Sequence, residues 1–409
     1  MSRAFYVLTT IFFIFLAISV FGGMLWGNTL YARDHPGETD FFVPWLSAQT
    51  FLRYGDPSSP DNITPYSDPA TQRTQVVYYG RVVADDEDPL ILWLPFPAEL
   101  FYFPFALISD YALARGLWMT LSEIALVASA FASLRLFRWK LPHLLLLLAL
   151  LFPVLWIFGM PVILSAGPLP FVLLAAVCAL LALRAGQDEL AGILLVFPTL
   201  KLGIFSLFVF FLLWWALYHR RGRLLAGFGM AAGLLLLISF LVLPGWVMPF
   251  LRGLYWHIQF TPPVSTYSVL GALFPVAGPR FALLLTFFWF TVVFFEFRDA
   301  RHRDFRHILW TACLMLVVAP LIGLPLGWND FSAFLLPTFL FLAVINERWP
   351  RRRWLGFAPA ALLLILVFGW TLSLTEGLTL LFSLLLVLGL YWVRWYAVRP
   401  PRTLLELEQ

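Results

Sequence analysis

The sequence is poor in charge and in cysteine, and each shortage excludes a class of protein. Only 12% of its 409 residues are charged, against about 25% in an ordinary soluble domain. The net charge of +4 is too small to indicate a nucleic-acid-binding protein. Cys178 and Cys313 are the only cysteines, and both lie in apolar runs without CxxC spacing, which predicts small apolar side chains rather than a disulfide or metal site. The sequence also contains no P-loop, GxSxG, HExxH or dinucleotide-binding motif.

Long apolar runs are abundant. Hydrophobic residues make up 61% of the chain, and a bilayer crossing needs about 20 of them in succession. The pattern predicts an all-α, polytopic transmembrane helical bundle that forms one membrane domain over residues 1–409. We place twelve spans at about 4–26, 111–137, 141–158, 168–184, 189–201, 204–218, 224–244, 280–297, 307–324, 332–346, 354–373 and 377–394. The first is interpreted as a retained anchor rather than a cleaved signal.

Basic residues predict the orientation of these spans. Short loops that are rich in arginine stay in the cytoplasm, and assigning them there accounts for 19 of the 27 Lys and Arg residues. Both termini, including the tail 396–409, are then cytoplasmic, and the long polar loop within 28–110 is extracytoplasmic. We expect an integral protein of a bacterial plasma membrane.

Two apolar stretches do not fit a simple crossing. Residues 90–108 contain Pro95, Pro97, Pro104 and Glu99, which predicts an interfacial helix at the outer face. Residues 190–217 lie between two cytoplasmic loops and are too short for two full crossings. We therefore expect a short hairpin that turns at Lys201 and lines an indentation open to the outside.

Asp40 and Lys201 are the leading candidates for chemistry. Asp40 stands just after the first span, at the head of the polar loop, where a carboxylate suggests a membrane enzyme acting on a lipid-borne substrate. Lys201 is one of only two lysines, and an ionisable residue at membrane depth is by default a functional hypothesis. Lys201 either holds a lipid-linked phosphate or extends its ammonium group to the lipid headgroups.

Other polar residues share the predicted outer side: Arg53, Glu99, Arg252, Tyr255, His257, Asn329 and Asp330. The aromatic residues around Arg252 are equally well an interfacial belt. The acidic run 85–88 leaves a divalent metal open, with a solvated loop as the alternative, and we predict no cofactor. His143, His219, His302 and His307 fall on the cytoplasmic side and are interpreted as ordinary loop residues.

Four patterns together resemble glycosyltransferase family 87, membrane enzymes of the GT-C class that use polyprenyl-phosphate sugars. They are Asp40 followed by Gly55, Pro57 and Tyr66; a proline-rich and aromatic stretch from Leu94 to Pro97 that leads to Ala114 and Trp118; Ala191 to Leu194 followed by Lys201; and Trp328-Asn329-Asp330. Family members often have Lys-Pro at the hairpin, whereas Leu202 follows Lys201 here. This departure weakens the assignment of Lys201 more than that of Asp40.

The resemblance implies a GT-C fold and transfer of a hexose, with mannose the best-represented choice. The donor is a polyprenyl-phosphate sugar, the acceptor is a glycolipid or glycan, and transfer inverts the anomeric centre. Asp40 is then the general base, although its position also suits a helix N-cap. The implied donor-phosphate residues are Lys201, Arg252 and His257, and the implied substrate-binding residues are Arg53, Tyr66, Glu99, Tyr255, Asn329 and Asp330.

Two other functions fit parts of the sequence. Many spans and a broken helix also suit a transporter or a lipid-linked sugar flippase, although no internal repeat relates the two halves. An O-antigen polymerase or ligase also acts outside on lipid-linked sugars, but such enzymes usually carry their large polar loop late in the chain.

Overall fold

The computed structural model describes residues 3–37, 39–54, 65–67, 74–78, 89–91, 94–260, 264–324, 326–348 and 376–398. The predicted helical fold class is confirmed. The helices are α1 Arg3–Asp34, α2 Phe42–Tyr54, α3 Phe96–Glu99, α4 Phe103–Ala106, α5 Tyr111–Leu136, α6 His143–Leu155, α7 Gly159–Leu164, α8 Leu169–Arg184, α9 Asp188–Leu195, α10 Leu202–Tyr218, α11 Gly222–Val242, α12 Val247–Phe260, α13 Thr266–Leu273, α14 Gly278–Ala300, α15 Phe305–Val318, α16 Leu335–Arg348 and α17 Glu376–Val398. Two 3-10 helices, Phe197–Lys201 and Trp328–Phe334, precede α10 and α16.

Six helical segments of the described chain are long and apolar enough to cross a membrane: Phe5–Asp34, Tyr111–Leu136, Asp188–Tyr218, Gly222–Val242, Gly278–Ala300 and Trp328–Arg348. Large apolar side chains are exposed along α1, α11 and α14, as expected for helices surrounded by lipid tails. The chain is therefore an integral membrane protein. Twelve spans are not confirmed, since the apolar helices 143–155, 169–184, 305–318 and 380–395 are shorter and the predicted span 354–373 lies outside the described residues.

The chain divides into two compact units. Unit 1 comprises residues Met1–Ile124, Ile163–Pro168 and Leu243–Tyr255, and unit 2 comprises Ala125–Val162, Leu169–Val242 and Trp256–Gln409. In unit 1, three short strands interrupt the helices. β1 (Pro65–Ser67) is antiparallel to β2 (Thr74–Tyr78), which is parallel to β3 (Pro89–Ile91). This small sheet belongs to the long loop 28–110.

Close backbone packing joins α1 to the start of α5 in unit 1. A Cβ atom on Gly116 would lie 2.5 Å from Thr29 Oγ1, so the two helices can cross this closely only at a glycine. Beside the crossing, Asn28 Nδ2 donates hydrogen bonds to Thr120 Oγ1 (3.0 Å) and Glu123 Oε1 (3.2 Å). The contact fixes the C-terminal end of α1, which continues beyond the predicted end at residue 26.

Prolines divide the predicted interfacial helix into two single turns. Pro97 lies in the first turn of α3 and Pro104 in the first turn of α4. Proline fits the first turn of a helix but is disfavoured in its interior, where its ring clashes with the preceding turn. The prediction of one helix over 90–108 was therefore wrong. Trp45 Nε1 and Gln49 Nε2 on α2 donate to main-chain carbonyls of this stretch, at 3.1 and 3.2 Å.

In unit 2, the segment 188–218 reverses direction. Asp188, the first residue of α9, forms a 2.9 Å salt bridge with Arg221, which lies just after α10. One straight helix would separate these residues by about 50 Å, so the chain must fold back. The 3-10 helix Phe197–Lys201 lies between the two arms. The fold-back agrees with the short hairpin expected from the sequence.

The core of unit 2 is built around α15. Every residue of this helix from His307 to Val318 is buried. Trp310 is fully buried, and its indole Nε1 donates a 3.1 Å hydrogen bond to Leu390 O on α17. This bond satisfies the polar atom of a side chain that otherwise contributes only apolar surface.

Candidate functional site

Asp40 lies in the turn between α1 and α2. The helix α1 ends at Asp34 because Pro36 and Gly37 follow, and neither residue favours its continuation. The Asp40 side chain is exposed, and its Oδ2 accepts a 3.4 Å hydrogen bond from the Ser165 hydroxyl. This distance is longer than the roughly 2.5–3.0 Å of most O–H···O hydrogen bonds, so the bond is weak.

Buried aromatic rings form the base of this turn. Phe41 is fully buried and packs against Tyr102, Tyr111 and Trp118. Tyr102 stacks on Trp118 with ring centroids 4.6 Å apart. Burial, and secondarily the negative charge of Asp40, raises the pKa of the Tyr102 hydroxyl, so this group stays protonated. The residue next to Asp40 is thus fixed by packing, while the side chain of Asp40 is exposed.

Glu99 belongs to the same unit but is completely buried. Burial raises the pKa of its carboxyl group to about 8, and the nearby Ser47 hydroxyl offsets part of the rise. Glu99 is therefore mostly neutral at pH 7. Because an enclosed group cannot contact a substrate without rearrangement, substrate binding by Glu99 stays a prediction.

The other predicted residues of unit 1 are exposed where they are described. Arg53 is exposed in the last turn of α2, and Arg252 and Tyr255 are exposed on α12. Tyr66 lies in β1, but its side chain is outside the described part of the structure, as is the side chain of His257 in unit 2. Their predicted contacts with donor or acceptor stay predictions.

Lys201 and Asp330 form a buried ion pair in unit 2. Lys201 Nζ lies 3.0 Å from Asp330 Oδ1, and the two side chains are only 12% and 7% exposed. Lys201 precedes α10 with non-helical backbone angles (φ −125°, ψ 63°), which marks the break in the hairpin. Asp330 Oδ2 also accepts a 2.9 Å hydrogen bond from the Gly327 amide. The sequence predicted both residues as site residues but not their pairing.

Asn329 lies beside this pair in the 3-10 helix Trp328–Phe334. Its side chain is partly exposed, and its carbonyl accepts a 3.0 Å hydrogen bond from the Ser332 hydroxyl. The Trp-Asn-Asp pattern therefore begins a helical turn, with Asp330 directed at the backbone and at Lys201.

A second group of charges in unit 2, the charge cluster, comprises Glu296, Asp299, His307 and Arg394. Arg394 Nη2 lies 3.0 Å from both carboxylates, and Tyr391 donates a 3.0 Å hydrogen bond to Glu296 Oε1. His307 is 1% exposed, with Nε2 3.6 Å from Asp299 Oδ2. The interpretation of His307 as an ordinary loop residue was wrong, because it lies in the first turn of the buried helix α15.

The charge cluster also contains groups that can ligate a metal. One ligand atom each from Glu296, Asp299 and His307 lie within 4.8 Å of one another. However, the guanidinium group of Arg394 already contacts both carboxylates. A cation would have to displace this internal positive charge, so the arrangement is explained by the arginine alone.

Two unit 1 residues that the sequence did not single out lie at the Asp40 turn. Ser165 contacts Asp40 directly, and Arg115 binds main-chain carbonyls of the segments that carry both residues. The signal for Arg115 was a charged residue inside an apolar span. Ser165 stands in an ordinary Ser-Ala-Gly-Pro connection, and no sequence feature relates it to Asp40.

Comparison with known proteins does not assign a function. No family model, curated protein or solved structure matches this chain. The proposed function therefore depends on the residues and geometry described above.

Proposed function

We propose that this chain is a membrane glycosyltransferase of the GT-C type. It moves a hexose, in our proposal mannose, from a polyprenyl-phosphate donor to a glycolipid or glycan acceptor at the extracytoplasmic face. The observation that carries the proposal is the exposed carboxylate of Asp40 in the turn that follows the apolar helix α1. A rigid aromatic base holds the neighbouring Phe41, so the acid is both accessible and positioned.

The chemistry needs a base and a cation. An acceptor hydroxyl has a pKa far above 7, and a carboxylate within hydrogen-bond reach can take its proton as it attacks the anomeric carbon. One direct displacement inverts that carbon. The leaving group is an anionic lipid phosphate, whose developing charge a lysine or arginine stabilises. Asp40 is the proposed base, and Arg252, exposed in the same unit, is one proposed cation.

Lys201 is the second proposed cation, and its ion pair with Asp330 limits how it can bind a donor phosphate. Asp330 already neutralises the ammonium group, so a donor phosphate must compete with that carboxylate. The Gly327 amide would still satisfy Asp330 Oδ2 after the exchange. Asn329 and Asp330 remain proposed substrate-binding residues, as the family resemblance implies.

Replacing Asp40 with asparagine tests the assignment. The Asp40→Asn variant keeps the size and polarity of the side chain but removes the base, so sugar transfer should fall by about 100-fold or more. Folding should be unaffected because the side chain is exposed. The measurement is the release of polyprenyl phosphate from labelled polyprenyl-phosphate-mannose by purified protein with added membrane lipid.

Asp34→Asn provides the matched control, since Asp34 is an exposed carboxylate at the end of the same helix. It should transfer sugar at the wild-type rate. Equal transfer by the Asp40→Asn variant and the wild type would remove Asp40 from the role of base.

A lipid-linked sugar flippase is the second candidate. The buried Lys201–Asp330 pair at a helix break favours it, because broken helices and intramembrane charges mark transport sites. In the same reconstituted system, a flippase would move labelled donor across the bilayer without releasing polyprenyl phosphate. That result would replace the transferase proposal.

A further inference from the structure

A buried guanidinium group joins the two chain segments that meet at Asp40. Arg115 on α5 is 2% exposed. Its Nη1 donates a 2.5 Å hydrogen bond to His35 O, five residues before Asp40, and its Nη2 donates a 2.7 Å hydrogen bond to Leu164 O, immediately before Ser165. The hydrogen bond from the Ser165 hydroxyl to Asp40 therefore closes a loop that begins and ends at Arg115.

We propose that Arg115 is a positioning residue that holds Asp40 and Ser165 at their working separation. Its role in transfer rests on the proposed function of Asp40. Neither Asp40 nor Ser165 lies in a helix interior, so regular secondary structure does not fix their distance. The guanidinium group supplies this constraint by binding the main chain on both sides.

The surroundings of Arg115 favour this role over that of an ion-pair partner. No salt bridge of Arg115 occurs within the described part of the chain. Its charge is met by the two carbonyls, by the ring of Tyr31 at 5.7 Å and by the Tyr111 hydroxyl. That hydroxyl in turn lies 2.9 Å from Thr39 Oγ1, in the residue before Asp40. Arg115 is thus connected to the Asp40 turn in two ways, through the His35 carbonyl and through the Tyr111 and Thr39 hydroxyls.

The geometry requires an arginine specifically. A planar guanidinium group presents several N–H donors in a fixed fork, whereas a lysine ammonium group acts as a point charge on a flexible stem. Arg115→Lys should preserve the charge but lose the simultaneous hold on both carbonyls. Arg115→Met should lose both the charge and the hold while keeping much of the apolar volume.

Disulfide formation between Asp40→Cys and Ser165→Cys measures their separation without any assay of transfer. Cys178 and Cys313 are first replaced by alanine. Copper-catalysed oxidation should then cross-link the pair readily with Arg115 present, and about tenfold more slowly with Arg115→Lys or Arg115→Met, because disulfides require specific geometry. The control pair, Asn28→Cys with Thr120→Cys, replaces the 3.0 Å bond between α1 and α5. Its rate should not change.

The cross-linking rates of the two cysteine pairs distinguish a positioning role of Arg115 from a general contribution to the stability of the fold. An unchanged 40–165 rate in both Arg115 variants would overturn the proposal. A loss of cross-linking at both pairs would also overturn it, since Arg115 would then support the helix pair rather than the Asp40 turn.

A kinetic measurement on the otherwise unmodified protein completes the test. Arg115→Lys should lower kcat by about 10- to 100-fold while KM for the donor stays the same, because the base is misplaced but donor binding is not. If the Asp40→Asn variant transfers sugar normally, the proposed function fails, yet the cross-linking result still decides whether Arg115 positions the turn. An increase in KM without a change in kcat would contradict the positioning role.

Discussion

Asp40 and Glu99 are two carboxylic acids of one unit in opposite environments. Asp40 is exposed in a turn and accepts a hydrogen bond from the Ser165 hydroxyl, whereas Glu99 is completely buried in the single-turn helix α3. Burial disfavours the charged form of a carboxyl group, which is why the pKa of Glu99 rises to about 8. At the level of single residues, accessibility therefore separates the candidate base from a neutral buried acid.

The raised pKa of Glu99 predicts a pH-dependent stability. Between the unfolded pKa near 4.5 and the folded pKa of about 8, the folded state binds more protons than the unfolded state, so the free energy of unfolding falls as pH rises. The loss across this window is on the order of a few kcal/mol. Glu99→Gln cannot ionise and should be more stable than wild type at pH 8 but similar at pH 5, as measured by thermal unfolding in detergent.

The same unfolding measurement on Asp34→Asn is the control, because Asp34 is exposed. It should follow the wild-type pH dependence. If the difference between Glu99→Gln and wild type is the same at pH 5 and pH 8, the ionisation of Glu99 does not govern this part of the stability.

At the level of elements, the hairpin depends on close contact between α9 and α11. A Cβ atom on Gly192 would lie 2.1 Å from Leu224 O, and one on Gly227 would lie 2.3 Å from Glu189 O. The two backbones therefore touch at two glycines, as in the small-residue interfaces of membrane helices. This contact holds the arm of the hairpin that leads to Lys201.

Gly227 and Gly229 form a matched pair for testing that contact. Both lie on α11, but a Cβ atom on Gly229 would have nothing within 4 Å. Gly227→Ala should destabilise the protein by about 1–3 kcal/mol through overpacking. Gly229→Ala should leave the stability unchanged or raise it slightly, because alanine favours helix. The measurement is thermal unfolding in detergent, and equal unfolding temperatures for the two variants would show that α9 and α11 are not in contact.

For the whole molecule, the sequence predicted what depends on local composition. Helical class, membrane insertion and the position of α5 follow from apolar runs, and the fold-back at Lys201 followed from the polar loops on either side. The features that the sequence did not predict depend on tertiary contacts. Asp330 pairs with Lys201 across 129 positions of the chain, and Ser165 meets Asp40 across 125. Periodicity carries no information about such pairs.

The amino-acid composition could not predict the number of membrane spans, for a related reason. Helices of 13 to 16 residues, such as α6 and α8, rise only about 20–24 Å, which is less than the roughly 30 Å hydrocarbon core. Packing within the protein, rather than hydropathy, determines whether such helices cross. The prolines similarly divide residues 90–108 into α3 and α4, although this stretch is largely apolar.

The orientation of the molecule gives a final prediction, on which the extracytoplasmic site depends. The α1 segment Phe5–Asp34 is long enough for one crossing, and arginine-rich loops stay in the cytoplasm, so Asp40 and Arg223 should face opposite sides. In the cysteine-free background, a membrane-impermeant maleimide should label Asp40→Cys on intact cells. It should label Arg223→Cys, at an exposed position on α11, only after permeabilisation. The reverse pattern would place Asp40 in the cytoplasm, and a donor sugar displayed outside could not reach it.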